Sequence, residues 1–195
     1  YSEIVGSIQA SVSFENIEEL LRNELPRLPI LSGLRFEAFR GRSPPFTSEV
    51  PVSREMGPPA HSSSGRYNPS GTPVLYLCDS PEGVLRELQE GEIWIQRFRV
   101  PINILRVADL RPTSNEIGTH LGAITWLCDL AGFDGHEFTI ESSQRVAGIV
   151  AEQFDGFITA GVRGDSHFQY SNLVLFNPCG RWSNWLDDEK PVRHR

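Results

Sequence analysis

The chain is short of sulfur, of positive charge and of long apolar runs. Its 195 residues include only three cysteines, Cys78, Cys128 and Cys179. They stand far apart with no CxxC or CxxH spacing, which argues against a zinc site or a redox motif and leaves buried free thiols as the expectation. So low and odd a count fits a reducing compartment. Eighteen Lys and Arg face 25 Asp and Glu, a net charge of −7, so the surface repels polyphosphates and anionic lipid. Neither nucleic acid nor a membrane is expected as a partner, although a local basic pocket for a small anion is allowed. The longest apolar stretches, Pro73 to Cys78 and Val146 to Val150, fall far short of the ~20 residues of a membrane span.

Signature motifs are missing too. There is no GxSxG elbow, no GxxxxGK[ST] loop and no HExxH helix, and His61, His120, His136, His167 and His194 form no pair at helical ligand spacing. Serine-hydrolase, kinase and metal-hydrolase chemistry lose their usual supports, and no metal is expected. His167, beside Asp165 and Ser166, reads either as a solvated loop histidine or as a general base.

What is present suffices for one folded domain, since 39% of the residues are hydrophobic and a chain of this length buries most of its unfolded surface. Apolar residues at Phe14, Ile17, Leu20, Leu21 and Leu25, after Ser13 as a cap, predict an amphipathic helix that Pro26 to Pro29 halts. Leu34 to Arg40 predicts a strand. From Gly41 to Gly71 come Pro44, Pro45, Pro51, Pro58, Pro59 and Pro69, with Pro73 just beyond, a density that no helix or central strand survives. Arg40, Arg42, Arg54 and Arg66 bracket or punctuate this loop, which is expected to be functional.

Val74 to Cys78 then predicts a buried strand. It enters a helix over Glu82 to Glu90, with Asp79-Ser80 as the cap, Pro81 at the first position and Gly91 as the stop. Strands are expected at Ile93 to Val100, Ile104 to Leu110, Phe157 to Ala160 and Leu173 to Phe176, and helices at Thr119 to Ala131 and Glu141 to Gln153. The residues after Gly180 read as a peripheral tail. Without a regular βαβ period the class is α+β. The expected organisation is an N-terminal helical segment (1–33), a catalytic core (34–178) and a tail (179–195) within one compact domain. A first residue other than Met, Tyr1, fits a trimmed chain and an excised domain alike.

The segment from Gly65 to Glu87, reading Gly65-Arg66-Tyr67-Asn68-Pro69-Ser70-Gly71, then Leu75-Tyr76, then Glu87 eleven residues past the tyrosine, resembles the RES-domain family. Phe39-Arg40 and Met56-Gly57-Pro58-Pro59 upstream are similar to that family as well. So are Phe154-Asp155-Gly156-Phe157 and Asn172 to Phe176 downstream, which carries the resemblance from about Leu34 to Pro178. At the position of the family's serine stands Gly161; Ser171 is the nearest replacement, with Ser166 and Thr159 behind it.

The resemblance implies an ADP-ribosyltransferase-like fold, a mixed or antiparallel β core with flanking helices. It also implies cleavage of NAD at the nicotinamide–ribose bond by water or phosphate, or transfer of ADP-ribose to a protein. A scaffold that binds a nucleotide or a partner without turnover is the third reading, favoured by Gly161. Toxins of the family act in the cytoplasm, or in a target cell after delivery, and are held by a cognate antitoxin or immunity protein. In these terms Glu87 is the carboxylate that stabilises positive charge on the ribose. Arg66 and Arg40 clamp the diphosphate, Tyr67, Asn68 and Tyr76 contact the nicotinamide riboside, and Ser171 completes the catalytic set. On composition alone Glu87 reads as a solvated helix carboxylate, the two arginines as surface ion pairs and Tyr76 as a core residue.

Overall fold

The computed structural model describes residues 18–19, 21–23, 25–58, 63–89, 91–111, 140–161, 170–178 and 180–194. Seven strands appear among them: β1 (Phe36–Arg42), β2 (Val74–Cys78), β3 (Ile93–Val100), β4 (Val107–Asp109), β5 (Gly156–Ala160), β6 (Ser171–Phe176) and β7 (Val192–His194). They join one sheet in the order β4-β5-β6-β2-β1-β3-β7. Every pairing is antiparallel except that of β4 with β5. A mixed sheet with two helices, α1 (Pro81–Leu88) and α2 (Ile140–Val150), is the α+β class that the irregular element order predicts.

The central strands follow their composition. β3, Ile-Trp-Ile-Gln-Arg-Phe-Arg-Val, is rich in β-branched and aromatic residues and stops at Pro101, as expected. β1 begins and ends two residues later than predicted, and pairs with β3 along its whole length from Phe36–Val100 to Arg42–Trp94. With β2 it shares the single pair Phe39–Cys78, so the sheet is thinly stitched at that point.

Alternation sorts side chains onto two faces. Phe39, Cys78, Val84, Ile95 and Tyr170 pack together under α1. Tyr67, Val74, Val146, Val150, Phe157 and Val174 pack under α2. Tyr170 and Val174 are both even-numbered positions beside or on β6, so the two helices cover the same face. On the other face lie Ala38, Met56, Leu75, Leu77, Phe98, Leu173 and Leu175.

α1 starts as the sequence dictates. The Ser80 hydroxyl accepts the Gly83 backbone N–H at 3.1 Å, and Pro81 occupies the first turn. Its end differs, because Gln89 rather than Gly91 takes the first left-handed turn, at φ 59°, and returns its N–H to Leu85 at 2.9 Å. Gly41 of β1 lies directly beneath: a Cβ there would fall 2.3 Å from Val84 and 2.6 Å from Leu88. The helix thus rests on bare backbone.

One further expectation is corrected. The residues after Gly180 are no peripheral tail, because Trp185 is buried in the core, Trp182 packs beside it, and β7 extends the sheet by pairing with β3. The aromatic pair in Trp182–Trp185 supplies the burial that a mixed-charge reading of the segment overlooked. Of the predicted helix from Phe14 to Leu25 only the end is described: Glu18, Glu19 and Leu21 to Asn23 are helical, and Leu25–Arg27 tightens to a 3-10 turn. The predicted helix from Thr119 to Ala131 lies outside the described residues, as do Cys128, Cys179, His167 and Ser166. No helix among the described residues is long and apolar enough to cross a membrane.

Candidate active site

Glu87 sits in the last turn of α1 with its side chain 19% exposed. Two donors converge on one of its oxygens: the Tyr170 hydroxyl donates to Oε1 at 2.8 Å, and the Asn172 amide donates to the same atom at 2.7 Å. Hydrogen bonds to a charged acceptor are among the stronger ones in a protein. The other oxygen, Oε2, faces Arg66 Nη2 at 3.7 Å. This is a carboxylate with a fixed orientation, unlike one on a freely solvated helix.

The orientation of Asn172 is itself explained. Burial, with Glu87 and Asp79 nearby, pushes the Cys78 thiol up, so it stays protonated and donates to Asn172 Oδ1 at 3.1 Å. With its oxygen so engaged, the amide turns its N–H toward Glu87. The expected buried free thiol is therefore found at Cys78, with a polar role besides packing.

The loop that carries Arg66 is clamped from two sides. From the sheet, the Tyr76 hydroxyl donates to Asn68 Oδ1 at 2.7 Å and accepts the Tyr67 backbone N–H at 2.9 Å. From α2, Gln144 Nε2 reaches the carbonyls of Gly65 at 2.7 Å and Asn68 at 2.9 Å. Gly65 and Asn68 also bridge each other through their backbones. Tyr67 and Asn68 are only 3% and 2% exposed. The Tyr67 ring packs edge-on against Phe157 at 5.0 Å between centroids. Both residues, expected at a ligand, shape the loop through these contacts, and Tyr76 shares that task.

Arg40 is different. It pairs across the ladder with Gln96, and alternation turns it with Ala38 away from the face that holds α1. It is 8% exposed, and its Nε and Nη1 have no hydrogen-bond partner among the described residues. Burial, and then repulsion from Arg42, lowers this guanidinium to about 9, against a weak opposite pull from the phenol of Tyr76. A buried cation is costly unless it is paired. Arg40 lies one residue past the only β1–β2 pair, where the strands are least tied.

Ser171 does not join Glu87. It shares the face of Leu173 and Leu175, while its neighbours Tyr170 and Asn172 reach the carboxylate. Sequence reasoning missed both of them and Gln144. The signal was the parity of β6: once Val174 is assigned to the helix-covered face, Asn172 and Tyr170 follow. No cluster of three or more potential metal ligands occurs among the described residues.

Residues 37–189, most of the chain, match the family model described as the RES domain, and the mixed sheet with its flanking helices is the ADP-ribosyltransferase-like α+β fold that the Gly65–Glu87 resemblance implied. No curated protein and no solved structure matches the chain significantly.

Proposed function

The chain belongs to the RES-domain family, and from that premise we propose that it consumes NAD by cleaving the bond between nicotinamide and ribose. The observation that carries this reading is Glu87, a part-buried carboxylate held on Oε1 by Tyr170 and Asn172 with Oε2 turned toward Arg66. Nicotinamide departs with the bonding electron pair and leaves positive charge on the ribose. A carboxylate already aimed at that charge stabilises the transition state more than the ground state. Water or phosphate then adds to the anomeric carbon and loses a proton, giving ADP-ribose or its 1-phosphate. Arg66, beside Oε2, supplies the positive charge for the diphosphate next to the reacting ribose; Arg40, turned to the face away from α1, stands apart from that site.

The deciding experiment is product analysis of NAD with the purified protein in phosphate and in phosphate-free buffer. Nicotinamide release is expected in at least one of them. Glu87→Ala should lower it by roughly a hundredfold or more, the scale lost with one electrostatic transition-state contact. Intact NAD under both conditions, with no labelled protein acceptor in a lysate, removes the enzyme reading. Gly161 in the serine position favours the alternative of a nucleotide-binding scaffold without turnover, which calorimetry with NAD would reveal as binding alone. A toxin restrained by an antitoxin belongs to the first reading: growth arrest and NAD depletion on expression of the wild type, and neither with Glu87→Ala.

A further inference from the structure

We infer that Tyr170, seated in a socket made by two glycines, is the positioning residue for Glu87. The inference rests on the role given to Glu87 above. The ring of Tyr170 is 3% exposed, so its phenol acts through the carboxylate and not on a ligand directly. Its socket comes from separate elements. A Cβ on Gly161, just past the end of β5, would fall 2.2 Å from two atoms of the ring, and a Cβ on Gly83 of α1 would fall 2.8 Å from a third. Neither position accepts a side chain while the ring is in place. Gly161 also gives its backbone N–H to the Tyr170 carbonyl at 2.8 Å, which continues the β5–β6 register from Ala160–Ser171.

The ring is thereby held between Gly161 and Gly83, and its hydroxyl donates to Oε1 of Glu87 at 2.8 Å. The glycine at 161, where the resemblance leads one to expect serine, is thus part of the apparatus: it makes room for a hydroxyl delivered from the adjacent strand.

Kinetics and stability test this together. Tyr170→Phe keeps the ring and deletes the hydroxyl. With NAD as substrate, kcat is expected to fall about tenfold while KM stays within about twofold, the pattern of a contact felt only in the transition state. Gly161→Ser forces the ring out and should lower both kcat and the melting temperature, but should cause no such melting loss in a Tyr170→Ala background, where the space is empty. Unchanged kcat in Tyr170→Phe, or a loss confined to KM, overturns the inference. If the wild type leaves NAD intact, the reading of the previous section fails, and anchoring is decided by urea unfolding instead. Tyr170→Phe should then lower the urea midpoint in the wild type but not in Glu87→Ala; equal shifts in both backgrounds overturn it.

Discussion

Arg40 and Arg66 carry the same group in opposite circumstances. Arg66 stands on a loop held by Tyr76 and Gln144 and faces Glu87 at 3.7 Å. Arg40 stands on a strand, buried, with two of its nitrogens lacking partners among the described residues. A loop can be bent to bring a cation to a carboxylate. A strand sets the face of its side chains by parity, and this one puts Arg40 on the face of Ala38, away from α1. One charge faces a carboxylate, whereas the other shows no hydrogen bond at Nε or Nη1 among the described residues.

That contrast predicts opposite signs. Arg66→Met leaves Glu87 short of a counter-charge and should destabilise by about 1–3 kcal/mol. Arg40→Met removes a buried charge with no hydrogen bond at Nε or Nη1 among the described residues and should leave stability unchanged or raise it by about 1–3 kcal/mol, while KM for NAD stays within about twofold. Urea unfolding and steady-state kinetics on the two variants check this, and destabilisation by Arg40→Met would break the comparison.

Tyr76→Phe sharpens it from the loop side. Its hydroxyl bonds Asn68 and the Tyr67 N–H, so its loss should cost about 1–3 kcal/mol through buried groups left unpaired. Arg66 should loosen with the loop, readable as raised amide exchange at Tyr67 and Asn68, while β1 around Arg40 stays protected.

Asp187 shows what compensation looks like when it is complete. It lies 2.6 Å from Arg97 and 3.1 Å from Arg99. Burial pushes its carboxyl up, but the Asp188 backbone N–H together with Arg97 and Arg99 holds it below the usual carboxylate range. A lowered folded pKa means that the unfolded chain binds this proton more readily. Its contribution is therefore present above the unfolded value near ~4 and is lost as pH falls through the folded one. Asp187→Asn should flatten the acid-side decline of the urea midpoint. The smallest effect is expected of Ser171→Ala: on the face away from Glu87, it should change NAD turnover by less than about twofold.

The parts of the site legible in the sequence were those set by local chemistry. Ser80 and Pro81 announced α1, and the loop from Gly65 to Gly71 announced Arg66, because caps and turns depend on neighbours in the chain. Tyr170 and Asn172 were not legible, because their meeting with Glu87 depends on strand parity and on a crossing from β2 to β6, more than 80 positions away for both. Ser171 stands one residue from Tyr170 and Asn172, and in a strand one residue is the other face. Arg40 reads in the sequence as a surface ion pair or an anion clamp, and its burial could be seen only once its surroundings had folded.

Gly41 has a meaning beyond close packing. It follows Arg40 directly, so a single dipeptide of β1 presents a buried guanidinium on one side and the seat of α1 on the other. The side chains of Val84 and Leu88 come between helix and strand there. The altitude of the carboxylate above the sheet is thus set by how closely those two side chains approach a residue that has none.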